Sequence, residues 1–301
     1  MDRALAATSR ARIALAVGAG ILAMLLYAGQ FVVSRWSFQR TLSLWDLAAL
    51  RFGVAGLLVL PVVLRHGLAG GAGVGWGRAA VLAVAAGAPY TLIMYAGLTL
   101  APAAHGAVII PGVTPVVSTL LVWLWLGERA WAGKLGGLAL IVIGLVLVGW
   151  PGIGGGDDRA WIGDLLFVAA GVLWALFTVL TRRWHVDPIR GTAMVWLLAL
   201  AYVPIYSVAV GGRRLLDAPR AEVVLQALYQ GVGVAIVALA LYAWAIRVLG
   251  ASFASLFMPL VPVFGVLLGI PVLGEVPTAV QLVGMAAVSA GMAIAAGRGR
   301  T

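Results

Sequence analysis

Ten apolar runs are separated by short clusters of glycine, proline and charge. The first extends from Ile13 to Val33. The others cover 44–64, 79–99, 104–126, 132–150, 161–181, 191–210, 222–246, 251–273 and 278–296. A helix needs ~20 residues to cross a hydrocarbon core of about 30 Å, and each run is near that length. The first run follows Arg3, Arg10 and Arg12, as a signal sequence would. It then continues into Ser34-Arg35-Trp36 without a small-residue cleavage site, and is expected to be a retained helix. Turn residues mark the breaks: Gly67 to Gly71, Ala101-Pro102, Gly127-Glu128-Arg129, Pro151 to Asp158, Asp187-Pro188, Gly211 to Arg214, and Gly274-Glu275.

The pattern repeats once. A shift of 147 residues, taking Glu128 to Glu275, superposes Pro115 on Pro262 and Leu126-Gly127-Glu128 on Leu273-Gly274-Glu275. The same shift places Gly137 on Gly284, Gly144 on Gly291, and Tyr95-Ala96 on Tyr242-Ala243. This register reads as an internal duplication. It divides the chain into a five-helix repeat at 1–150, a glycine-rich linker at 151–160 and a second five-helix repeat at 161–301. Five is odd, so the second copy must enter the membrane from the opposite side. The expected fold is all-α and polytopic: ten transmembrane helices as two inverted repeats around a central cavity.

Composition agrees with lipid as the solvent. The chain is 63% hydrophobic and only 10% charged, against about 25% charged in soluble domains. The net charge is +10, but the arginines sit singly or in pairs between apolar runs, so no nucleic-acid partner is expected. With the N-terminus in the cytoplasm, thirteen Arg and Lys fall in inside segments and six outside. Both termini are therefore expected inside, with 211–221 as the exception to the rule. The partners expected are the bilayer and a small solute, with the chain a monomer or weak dimer. Cysteine is absent, which excludes disulfides and thiolate ligands. The one lysine, Lys134, is not in a phosphate-binding loop, so the chain carries no ATP motor of its own. No zinc-binding His-Glu-x-x-His or serine-nucleophile elbow occurs, and no metal, cofactor or enzymatic activity is expected.

The two Pro…Leu-Gly-Glu units, the stretch Leu44-Trp45-Asp46-Leu47-Ala48-Ala49-Leu50-Arg51-Phe52 and the region around Trp174 resemble the drug/metabolite transporter superfamily, in particular its EamA-type ten-helix carriers. Within that group the chain looks most like the YddG-type aromatic amino-acid exporters. The resemblance covers nearly the whole chain. It implies two inverted five-helix repeats around a cavity, cytoplasmic termini at a cell inner membrane, and export of amino acids or other small metabolites. The second repeat departs from the first in having no Arg at the place equivalent to Arg51.

Polar and aromatic positions inside the runs are the candidate site, because each is costly in lipid. Tyr27 and Gln30 share a face of the first helix. Tyr90 and Met94 share one of the third, where Pro89 is expected to kink the chain. Trp174 lies at midspan in the sixth helix, with Thr178 one turn on. Gln226, Tyr229 and Gln230 share a face of the eighth helix, and Tyr242 follows. These residues are candidates for an aromatic, amide-lined substrate pocket. Arg51, two turns into the second helix, has two readings: an anchor for a substrate carboxylate, or a snorkelling arginine beside Asp46. Pro111, Pro115, Pro259 and Pro262 are candidate hinges in helices four and nine. Glu128 and Glu275 are expected to cap the helices that follow them.

No carboxylate lies deep in any run. That argues against a cationic-drug pump with a buried counter-charge and favours a net-neutral amino acid. Other small metabolites, cationic drugs and nucleotide sugars are alternative cargoes. A lipid-processing membrane enzyme is a more distant alternative and lacks the clustered acids it would need.

Overall fold

A computed structural model describes residues 2–66, 73–153, 159–211 and 213–297. Gly67 to Gly71, Gly212, Arg298, Arg300 and 154–158 of the expected linker lie outside the described residues. Ten helices long and apolar enough to cross a bilayer follow one another, and no strand is present among the described residues. They are α1 (Asp2–Phe38), α2 (Leu44–His66), α3 (Trp76–Leu100), α4 (Ala103–Leu126), α5 (Ala132–Ile153), α6 (Ala160–Arg183), α7 (Arg190–Val210), α8 (Arg220–Leu249), α9 (Ser255–Leu273) and α10 (Ala279–Ala296). The helix α5 runs on through Pro151 to Ile153, so the expected linker begins as helix.

Local chemistry sets the ends. Ser43 and Asp46 form a capping pair at the start of α2. The Ser43 N–H donates to Asp46 Oδ2 at 2.7 Å, and the Asp46 N–H donates to Ser43 Oγ at 3.4 Å. Thr278 and Gln281 form a full capping box on α10. Gly127 and Gly274 end α4 and α9 in the left-handed conformation, with φ of 71° and 69°. The break in α3 falls at Gly87, two residues before Pro89. Pro89 then sits in the first turn of the resumed helix, where its missing N–H costs nothing. In α8 the hydrogen bonding widens to a π pattern over Ala227–Ala238.

The lipid-facing rim is apolar: Leu57, Leu120, Val146, Trp150 and Leu267 are all exposed. The interior is a layer of Phe52, Tyr95, Met94, Phe167 and small residues. In packing order, α5 lies mainly on α10, α4 on α6, α9 on α1, α2 on α7 and α8, and α3 on α6 and then α7. The α5–α10 contact is backbone to backbone. A Cβ on Gly137 would lie 2.7 Å from Gly291 O, and one on Gly144 would lie 2.5 Å from Gly284 O. Only glycine permits that approach. Gly265 likewise meets Ala107 of α4. Gly133 and Gly269, which share the same small-residue spacing, meet no other helix.

Candidate functional site

A cavity of about 620 Å³ opens between the helices. Its lining includes Thr181, Ile246, Ser255 and Ala296, which lie near the ends of α6, α8, α9 and α10 on the side where α1 begins and α10 finishes. The mouth is therefore at the end of the bundle that holds both termini. Arg51 sits at the closed, opposite end of the cavity, just two turns into α2.

Of the expected pocket residues, Tyr27, Gln30, Arg51, Tyr90, Trp174, Thr178 and Tyr242 line this cavity. Tyr90 and Trp174 pack with ring centroids 5.1 Å apart, and Trp174 meets Phe177 at 5.4 Å. This makes an aromatic wall from α3 and α6. Pro111 and Pro115 also line the cavity on α4, which continues as helix through both rather than breaking there. Pro259 and Pro262 stand at the start of the main helical part of α9 and do not line it.

Met94 and the α8 amide face are placed elsewhere. Met94 is fully buried in the core. Gln226 donates to Val33 O and Ser37 Oγ, both at 2.8 Å. Tyr229 donates to Leu26 O, and Gln230 donates to Ser34 Oγ at 2.8 Å. These side chains bind α8 to α1. A membrane interior offers no water to satisfy amides, and neighbouring serines and carbonyls take that role.

Gln230 has a second task. Its Oε1, with Gln30 Oε1, accepts from Arg51 Nη1, at 3.4 Å and 3.0 Å. The guanidinium also lies 5.3 Å over the Trp196 ring. Among the described residues no carboxylate compensates this charge: Asp46 is held by Ser43 and by Tyr206 Oη, 2.5 Å away. The snorkelling pair with Asp46 is therefore not formed. Arg51 is 5% exposed, and its Nε has no hydrogen-bond partner among the described residues. Lys134 is the second cation on the cavity wall, and no acid lines it among the described residues.

The end opposite the mouth is closed by polar contacts. Arg35 of α1 pairs with Glu275 and donates to Leu98 O at 2.7 Å. Glu275 Oε2 accepts from Ala103 N at 2.8 Å. It thus caps α4, while Thr278 caps the helix that follows Glu275. Thr41 donates to Glu222. His105 lies buried between Asp164 of α6 and Gln281 of α10, 2.8 Å from each. At the mouth Glu128 pairs with Arg182 at 2.7 Å, and it too caps no following helix. The duplication register carries Arg35 to Arg182 and Glu128 to Glu275. One ion pair is thus the counterpart of the other with partners exchanged. The side chains are 16% and 15% exposed at the closed end, and 55% and 49% exposed at the mouth.

Trp196, Phe177, Thr114 and Lys134 also line the cavity and were not singled out by sequence. Trp196 had a usable signal, a tryptophan within an apolar run, the same signal that marked Trp174. From the sequence, Lys134 reads as membrane-flanking charge outside any phosphate-binding loop.

Comparison with known proteins adds the relatives. The model of the EamA-like transporter family matches twice, at 14–150 and 161–297. An uncharacterised protein of Pseudomonas aeruginosa is 34% identical over 65% of this chain and 66% of its own length, so the matched region spans just under two thirds of that relative. An uncharacterised transporter of Archaeoglobus fulgidus is 26% identical over 85% of this chain and 88% of its own. A solved crystal structure matches 93% of the chain and 96% of its own, with a TM-score of 0.58 and 23% identity, which is a likeness of fold.

Proposed function

The chain belongs to the EamA-like transporter family, and from that premise we propose that it is an inner-membrane carrier exporting amino acids, chiefly aromatic and other hydrophobic neutral ones, by alternating access. One observation carries the substrate reading. Arg51 is a buried guanidinium with no carboxylate partner among the described residues, at the closed end of a cavity walled by Tyr90, Trp174 and Phe177. A substrate carboxylate completes its hydrogen bonding, and an aromatic side chain fills the wall. Gln30, Gln230 and Trp196 hold the guanidinium in place. The acid-free lining supports a neutral or anionic cargo over a cationic drug.

The transport mechanism rests on the two ends of the bundle. The helix contacts support a five-plus-five division into inverted repeats. Renumbering each helix by five turns the α4–α6 contact into α9–α1, and α2–α8 into α7–α3, all of which occur. The two family matches, 14–150 and 161–297, support the same division. The arginine distribution favours both termini, and hence the cavity mouth, on the cytoplasmic side. In the alternate state Arg182 and Glu128 close the mouth as Arg35 and Glu275 close the far end here.

Counterflow in proteoliposomes tests the reading, with Phe, Trp, Leu, Thr, Lys and a lipophilic cation as cargoes. Flux of the aromatic and aliphatic amino acids is expected. Flux of the cation with none of any neutral amino acid would refute it. A second reading, export of aromatic carboxylates that lack an ammonium group, is favoured by Arg51 and Lys134 as two cations on a cavity wall that no acid lines among the described residues. Competition between phenylalanine and its deaminated analogue separates the two.

A further inference from the structure

His105 has no histidine counterpart in the second half of the duplication. The register carries His105 to Ser252, Gln281 back to Lys134, and Asp164 back to Val17. The closed end therefore carries a group that the mouth lacks, and its hydrogen bonding fixes its charge state.

Gln281 cannot turn its amide over freely. Its Oε1 accepts the Thr278 backbone N–H at 2.8 Å in the capping box of α10. A backbone N–H only donates, so the amide oxygen must face Thr278. The amide nitrogen then faces His105 Nε2 at 2.8 Å, and it too only donates. The ring Nε2 must therefore be the lone-pair acceptor. Its proton is on Nδ1, which donates to Asp164 Oδ1 at 2.8 Å. In this conformation His105 is neutral, and it ties α4 to α10 on one side and to α6 on the other.

We propose that His105 is a proton-binding site that latches the closed end and is released by acid from that side. A proton added at Nε2 sets one N–H against another. The ring keeps Asp164, and more tightly, because a charged donor meets a carboxylate. It loses Gln281 unless the α10 capping box also gives way. The proton thus transfers the ring's allegiance from α10 to α6 and frees one seam of the closed end. Imidazole is the side chain whose charge changes between about pH 5 and 8, which suits a sensor of that kind. On the helices packed against α4, the other charged or titratable groups toward this end are Arg35 of α1, Tyr95 of α3, Arg159 and Asp164 at the start of α6, and Glu275 after α9. The outer part of α5 has none, and α10 presents only Gln281 there. Arg35 and Glu275 are paired to each other, so Asp164 is the carboxylate that receives the protonated ring.

The inference rests on the alternating-access reading, so its test is read without substrate. Gln39 and Val276 are exposed at the closed end, just beyond α1 and just beyond α9. The chain has no native cysteine, so Gln39→Cys with Val276→Cys gives a clean pair for spin labels. Pulsed electron resonance on the full chain in nanodiscs is expected to show a longer-distance component at about pH 5.5, roughly tenfold more populated than at about pH 8. His105→Gln offers a donor to Asp164 and an acceptor to Gln281 without titrating, and should hold the short distance at both pH values. Gln281→Leu removes the latch and should show the long component at both. A wild-type distance that ignores pH, or a His105→Gln variant that opens with acid as the wild type does, overturns the proposal. Absence of amino-acid counterflow bears on the transport reading alone.

Discussion

Replacing Glu275 by glutamine removes the charge that joins α9 to α1 at the closed end. The amide oxygen can still accept the Ala103 N–H, so the substitution isolates the ion pair from the helix cap. The magnitude follows from exposure. Two unit charges about 4 Å apart interact by roughly 1 kcal/mol in water and about 4 kcal/mol at an effective dielectric of 20. The Arg35–Glu275 side chains are 16% and 15% exposed, which places them between those values. A loss of about 2 kcal/mol from the present conformation is expected, a shift of roughly 30-fold toward the alternate one. The Glu128–Arg182 pair, half exposed here, contributes under about 1 kcal/mol to this conformation. In the proposed alternating-access cycle the roles exchange and Glu128 becomes the covered partner. Glu128→Gln is therefore expected to shift the equilibrium by a similar factor in the opposite direction, and the double variant to return near the wild-type population. Spin labels at Gln39→Cys and Val276→Cys measure all three. Equal shifts in one direction, or changes under about twofold in both single variants, would refute the exchange of the two pairs.

Arg51→Gln should raise KM for aromatic amino acids by about 10- to 100-fold, the worth of a hydrogen bond to a charged group, while Arg51→Lys recovers part of it. Initial rates in proteoliposomes give both, and an unchanged KM would remove Arg51 from the substrate. Tyr90→Ala and Trp174→Ala should weaken Phe and Trp transport by about 1 kcal/mol or more relative to Thr, because they take down the aromatic wall. Equal losses for all cargoes would mean that the wall serves packing alone. Gly144→Ala should destabilise the protein by about 1–3 kcal/mol, since its Cβ meets Gly284 O at 2.5 Å. Gly136→Ala, with nothing within 4 Å, should be neutral or stabilising by helix propensity. The thermal midpoint in detergent compares the two.

The ten helices were legible because lipid imposes one rule on every span, and apolar length is a direct record of it. Cavity-facing positions obey no such single rule. Trp174, Tyr90, Tyr27 and Tyr242 announced themselves as aromatic or polar groups inside spans. Gln226 and Gln230 gave the same signal yet serve helix packing, since an amide in a bilayer satisfies itself on a neighbour as readily as on a cargo. Heptad-like spacing could not settle the matter in α8, where π winding changes which positions share a face. The fate of Asp46 was likewise hidden: its distance from Arg51 in sequence was visible, but Tyr206, far along the chain, was not an evident partner. Nothing in the sequence around His105, which opens α4, marks it as buried. Its burial depends on α6 and α10 arriving from the other half.

The glycine seam between α5 and α10 has a consequence for how such a chain arises. Gly137 meets Gly291 and Gly144 meets Gly284, while the register pairs Gly137 with Gly284 and Gly144 with Gly291. The surface is therefore self-complementary in the antiparallel sense, as in an isologous dimer. A gene for one five-helix half, whose product inserts in both orientations, would already encode both sides of this contact. Fusion of two such genes would need no new interface. It would only free each copy to diverge, as Gln281 and Lys134 have done at one shared position.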